Sequence, residues 1–249
     1  QRTTDSPLRV PDARSPMPGV WAGWGEGSDH FGTGEAYLPV LEAVGHLCRG
    51  PGGEHLLPLL ERHAPSWLVQ LPALLTTAKL EEVQRRVSGT TRERMLREMA
   101  EALEALSAER PLVLVLEDLH WSDVSTIDLL SMLARKREAA RLLILVTYRS
   151  TDVIVRDHPL RGVKQELVTR KLAVELPLPY LRPDAVQAYV AQHAGTLGDS
   201  LPEVGALLYE RTEGHPLFMV QLLADRSQQA IPLAQARQII PPGLQHLLV

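Results

Sequence analysis

The sequence predicts an α/β fold, a parallel sheet with helices packed on it, followed by a small all-α domain. Three observations carry this. Leu112–Leu116 and Leu142–Thr147 are apolar runs without alternation, the pattern of strands covered on both faces in a parallel sheet. Helical periodicity fills the chain around them, and buried strands alternating with helices imply right-handed crossovers. After Pro177 the strand signal stops and only helical patterns remain.

The first 31 residues read as an irregular segment, with four prolines at 7, 11, 16 and 18 followed by a run of glycines, and at most a short strand near Val20–Trp24. Those glycines are either a flexible loop or a phosphate site. The G-x-x-x-x-G-K-[ST] spacing is absent, which favours the loop. From Glu35 the pattern turns helical, with Leu38, Leu41, Val44 and Leu47 on one side and Pro39 in the first turn. Gly50–Gly53 breaks it, and Glu54–Arg62, Ser66–Leu71 and Leu80–Val87 read as further helices. Thr90-Thr-Arg-Glu93 fits a capping box, opening a helix whose stripe of Met95, Leu96, Met99, Leu103 and Leu106 is core. Beyond the first long strand, Ser125–Asp128 caps a helix to about Lys136. The second strand ends on Tyr148 and Arg149, a helix near Leu160–Val168 follows, and Leu172–Leu176 reads as a third strand. Pro183, Pro202 and Pro216 then open three helices, and the helicity of the polar tail from Ser227 to Gln238 is left open.

Composition narrows the function classes. A net charge of −4 in 249 residues offers no basic footprint for nucleic acid or an anionic membrane. The single Cys48 excludes an internal disulfide or a cysteine zinc site and points to a reducing, cytoplasmic compartment, with the thiol as packing. No apolar run approaches the length of a membrane span. The chain opens on Gln1 rather than Met, so it is expected to be a fragment.

Glu117 and Asp118 close the first long strand, at the end where open α/β sheets bind ligands. Two readings stay open at this point. The carboxylates hold the water shell of a magnesium ion, with Arg149 at the next strand end meeting a phosphate. Alternatively, they cap the following loop and pair with Arg149.

The segment LVLVLEDLHWSD (Leu112–Asp123) closely resembles the Walker B strand of AAA-like P-loop ATPases of the STAND signal-transduction class, found in large bacterial transcription regulators and cyclase-associated proteins. LLILVTYRS (Leu142–Ser150) resembles their next strand, RTEGHPLFMVQLL (Arg211–Leu223) the G-x-P motif of their helical lid, and GEAYLPVLEAV (Gly34–Val44) the helix after their second strand. The resemblance implies a P-loop NTPase-like core over residues 32–180 and a helical lid domain over 181–249. It also implies ATP and Mg²⁺ as cofactors, with Glu117 organising Mg²⁺ and Asp118 polarising the attacking water. Arg149 would sense the γ-phosphate, and Gly214 and Pro216 would meet the adenine. Glu117 stands where Asp is more usual, and His215 where Asn is frequent. His120 and Trp121 belong to the signature, Trp121 equally suited to packing.

The Gly-rich loop and its Lys, which cradle the phosphates in this class, are absent: Lys79, Lys136, Lys164 and Lys171 all lie in other contexts. The first strand, phosphate loop and first helix are therefore expected to be missing, and ATP binding by the chain alone to be weak or nil. The expected partners are effector or sensor domains of a larger parent, and a second copy of the chain. The functional expectation is a nucleotide-dependent switch in signal transduction or transcription regulation. The rival is a degenerate interaction scaffold that keeps the fold without the chemistry. A Rossmann-type enzyme falls, because no glycine-rich strand-to-helix turn opens the chain.

Overall fold

A computed structural model describes residues 19–28, 35–136, 140–193 and 201–229. The proline-rich start, Gly32 and Gly34, and most of the polar tail lie outside the described residues. These residues fall into two compact units, divided between Glu175 and Leu176.

The first unit is a parallel sheet with helices. Its elements are β1 (Trp21–Glu26), α1 (Leu38–Arg49), α2 (Gly53–His63), α3 (Pro65–Leu68), α4 (Thr77–Val87), α5 (Arg92–Glu109), β2 (Leu112–Glu117), α6 (Val124–Arg135), β3 (Leu142–Val146), α7 (Ser150–Val155) and α8 (Leu160–Thr169). The strands pair in parallel in the order β1-β2-β3, with Trp21, Leu112 and Leu142 in register at one end and Gly25, Leu116 and Val146 at the other. Of the glycines near the start, Gly23 and Gly25 are strand residues, so the short strand allowed near Val20–Trp24 is formed and runs on to Glu26. A Cβ on Gly25 would stand 1.8 Å from the Pro39 carbonyl oxygen, and one on Gly23 2.6 Å from that of Ala43. Only bare backbone lets α1 lie this close to β1.

Expected coverage on both sheet faces holds on one side only. The face formed by Trp21, Leu112, Leu114 and Leu116 is buried against α1 and α5 residues such as Leu41, Val44, Leu103 and Leu106. The opposite face is half-open at Val113 and Val115, and exposed at Leu143 (52%) and Leu145 (45%) on β3.

Three further expectations are corrected. Leu172–Leu176 is not a strand: the Leu172 and Ala173 amides both donate to the Leu167 carbonyl, closing α8, so they do not join a ladder. The helix that begins at Arg92 is capped by Thr91, whose hydroxyl accepts the Arg94 amide, while Thr90 donates to the Val87 carbonyl of the preceding turn. The cap of α6 is Asp123, which accepts the Ser125 and Thr126 amides.

The helical stripes pack as expected. Trp67 is fully buried and donates Nε1–H to the Met95 carbonyl at 2.8 Å. Buried Glu98 accepts the Ser66 amide and pairs with Arg94, both at 2.9 Å. Burial pushes the Cys48 thiol up to about 11, the mark of an inert packing residue.

The second unit contains α9 (Pro183–His193), α10 (Leu201–Thr212) and α11 (Pro216–Gln229) around Val186, Val190, Val204, Leu208, Met219 and Leu223. No described helix is long and apolar enough to cross a membrane.

Candidate functional site

At the carboxyl end of the sheet the central strand stops on Glu117, and Asp118 turns the chain out with φ 51° and ψ 42°. This left-handed conformation is uncommon for a residue with a side chain, though Asp tolerates it better than most. Thr147, just past β3, holds it: its hydroxyl accepts the Asp118 amide at 3.0 Å and its carbonyl accepts the Leu119 amide at 2.9 Å. Its own amide donates to the Leu116 carbonyl. From the other side, Gly27 donates to the Glu117 carbonyl at 2.8 Å, and a Cβ there would stand 2.5 Å from the Asp118 carbonyl oxygen. Both neighbouring strands thus clamp the residue that presents the carboxylate.

The loop then makes one 3-10 turn, Leu119–Trp121, before α6. Asp123 caps α6 through one carboxylate oxygen and accepts the Tyr37 amide through the other at 2.9 Å. Tyr37 is itself left-handed (φ 65°) at the start of α1. One carboxylate therefore joins the starts of two helices across the strand ends.

His120 is buried, 1% exposed, under this loop. Its Nδ1 accepts the backbone N–H of Arg149 at 3.4 Å and stands 3.8 Å from Asp118 Oδ1. Accepting through Nδ1 assigns the ring proton to Nε2. That Nε2 is buried, makes no hydrogen bond, and has Asp152 Oδ2 at 3.4 Å. A buried donor in that condition costs about 1–3 kcal/mol. Burial pushes the imidazole below its ordinary range, against the pull of Asp118 and Asp152 and with Arg149 and Arg156 adding to it. Arg156 lies over the Trp121 ring, 3.8 Å from its centroid, so Trp121 is covered by a cation.

Register and hydrogen bonding thus bring Glu117, Asp118 and the Arg149 backbone to the same sheet end, with the Arg149 residue exposed. Thr147, Asp123, Asp152 and Arg156 were missed by sequence reasoning. Thr147 and Asp123 lie inside the quoted motifs and were legible as hydrogen-bonding residues, whereas Asp152 and Arg156 carried no signal. Asp118 and Glu117 offer hard oxygen donors, and a carboxylate pair suits an ion that keeps most of its waters. Among the described residues no group of three His, Cys, Asp or Glu could hold a metal ion, so an all-protein cage is not what these residues form.

Gly214 and Pro216 lie in the second unit. Glu213 (φ 50°) and Gly214 (φ 79°) are both left-handed, and a Cβ on Gly214 would meet the Leu181 carbonyl oxygen at 1.9 Å. Leu181 donates its amide to the Gly214 carbonyl, and Pro216 opens α11. His215 stacks on Phe218, centroids 4.1 Å apart, with Tyr180 at 4.9 Å on the same ring.

Residues 25–146 match the family model of the AAA ATPase domain. The matched span contains β2, β3, the last two residues of β1 and both carboxylates, and supports an AAA-like P-loop ATPase module there. No curated protein and no solved structure matches the chain.

Proposed function

With an AAA-type ATPase module over residues 25–146 as the premise, we propose that the chain carries the hydrolytic half of an ATP site in a regulatory switch of the STAND class. The observation that carries the proposal is the carboxyl end of the sheet. There two carboxylates close the central strand, and the start of the next helix, Arg149, is hydrogen-bonded into the same loop. Glu117 would hold water ligands of Mg²⁺, Asp118 would orient the attacking water, and the Arg149 guanidinium would meet the terminal phosphate. Mg²⁺, when bound, supplies charge neutralisation of the phosphates. Gly214 and Pro216 would meet the adenine with their backbone. The nucleotide would set the arrangement of the helical unit and so the surface offered to effector or sensor domains, or to a second copy.

The phosphate-gripping half is proposed to come from a further strand and its loop. Two features support this. The outer edge of β3 carries no ladder partner among the described residues while Leu143 and Leu145 lie exposed beside it. Leu172 and Val174 (84% exposed) are apolar in a segment whose Glu175 is tied to Tyr148 and Lys164 near the end of that strand. An exposed apolar edge of this kind calls for a partner. The chain alone is accordingly proposed to bind ATP weakly. The rival reading is a degenerate interaction scaffold that keeps the fold without the chemistry.

Thermal unfolding in about 10 mM Mg-ATP separates the two. With Kd near 1 mM the ligand adds about 1.4 kcal/mol, a rise of about 3–5 °C. The rise should vanish in Arg149→Ala. No rise in the unaltered chain would sink nucleotide binding by these residues and leave the scaffold.

A further inference from the structure

His120 is a buried ring at the strand ends to which the proposed roles of Glu117, Asp118 and Arg149 give no task. Its place is specific. It follows Asp118 by two residues, and both its nitrogens face the first turn of α7, Nδ1 toward the Arg149 amide and Nε2 toward the Asp152 carboxylate. We propose that His120 is a positioning residue that couples the Asp118 loop to the first turn of α7, so that Asp118 and Arg149 keep one spacing, with Asp152 as the acceptor for its Nε2–H.

The chemistry of the ring supports this. A neutral imidazole with its proton on Nε2 presents an acceptor to the Arg149 N–H and a donor to Asp152, matching both partners. In the same tautomer Nδ1 has no proton to donate to Asp118 Oδ1, 3.8 Å away, so the ring leaves that carboxylate unbound. The ring therefore fixes the loop of Asp118 without occupying its oxygens. The groups facing His120 are Asp118 on its own loop and Arg149, Asp152 and Arg156 on α7 and its flanks. One link is made, at 3.4 Å to the Arg149 amide. The other is open, the Nε2–H still without a hydrogen bond at 3.4 Å from Asp152. Small movement of α7 toward the loop completes it, and hydrogen bonds of this kind tighten when a site takes up its ligand. A pull on the Arg149 side chain is then transmitted to the loop bearing Asp118 by one rigid ring.

The inference rests on reading Asp118 and Arg149 as the two poles of a phosphate site, and its test is separable from that reading. Nitrogen-15 spectra of the full chain report the His120 tautomer directly, and hydrogen exchange reports the Arg149 amide. The expected result is the Nε2–H tautomer. Exchange at Arg149 should be faster by about tenfold in His120→Leu, and restored to within about threefold in His120→Asn, whose Oδ1 stands where Nδ1 stood. Asp152→Ala should mix the tautomers while leaving the melting temperature within about 2 °C, an outcome that a merely packed ring would not give. An Nδ1–H tautomer, or Arg149 exchange unchanged in His120→Leu, overturns the coupling. If Mg-ATP gives no rise in the melting temperature of the unaltered chain, the proposed nucleotide binding fails while the tautomer and exchange results still decide the coupling.

Discussion

Replacing Gly25 by Ala should damage the sheet unit far more than its chemistry suggests. The added Cβ would stand 1.8 Å from the Pro39 carbonyl oxygen, 2.7 Å from its carbon and 3.0 Å from the Ala43 amide nitrogen. Even the tightest real contacts begin near 3.0 Å, so α1 must retreat by at least 3.0 − 1.8 = 1.2 Å. All three obstructing atoms belong to helix backbone, which cannot swing aside as a side chain would. The retreat loosens Val40, Ala43, Val44 and Leu47, all buried on that helix. Overpacking costs about 1–3 kcal/mol or more, and a clash against backbone lies at the upper end, about 3 kcal/mol. For a chain of this size that lowers the melting temperature by about 6–12 °C. Tryptophan fluorescence is the assay, because Trp21, Trp24, Trp67 and Trp121 are the only tryptophans and all lie in the sheet unit. The signal thus follows one unit even if the two unfold separately. Gly162→Ala is the control: nothing lies within 4 Å of its Cβ on α8, so it should stabilise by about 0.5–1 kcal/mol. A Gly25→Ala protein melting within about 2 °C of the unaltered chain would refute the close helix–strand approach.

Asp123→Ala removes the α6 cap and strands the Tyr37 amide, and should cost about 2–3 kcal/mol by denaturant midpoint, against about 1 for a cap alone. Glu98→Ala leaves the Ser66 amide and Arg94 without their acceptor, and an expected loss of about 2 kcal/mol is read in the same titration. Cys48 should react with a thiol reagent at pH 8 about 100-fold more slowly in the folded chain than in denaturant, since only the thiolate attacks. The sign of its pH dependence follows from the raised value. The folded thiol keeps its proton above the unfolded 9.0, so its contribution to stability is intact below that pH and is lost as pH climbs toward about 11. Equal reaction rates, or stability unchanged from Cys48→Ala across that range, would contradict the buried thiol.

The long strands and most helices were legible because their signals are local. Leu112–Leu116 and Leu142–Val146 declare themselves by unbroken apolar runs, and α1, α5 and α8 by stripes that repeat every turn. Caps were misread by one or two residues. Thr90 and Thr91 are equally able to cap, and Ser125 competes with Asp123, so choice falls to whichever oxygen meets the free amides. Leu172–Leu176 has the composition of a strand, but a strand exists only with a partner, and its first amides are taken by Leu167. Gly25 read as loop, and the strand holding Gly23 as at most a short one, because composition cannot show that a helix backbone lies against them.

At the site, sequence alone determined the chemical inventory: two carboxylates closing one apolar run, an arginine closing the next, and the order LEDLHWSD between them. The carboxylates and the rest of that segment are near neighbours along the chain, and no packing choice can separate them by much, whereas Arg149 lies 31 positions beyond Asp118. Tertiary structure decided how they meet. Parallel pairing of β2 with β3 puts Thr147 on the Asp118 amide and holds that aspartate left-handed. Burial of the loop turns His120 inward between Asp118, Arg149 and Asp152, a ring that 29 and 32 positions of sequence separate from its partners on α7. Such contacts depend on strand register and helix placement, which arise from the whole core rather than from any window of the chain.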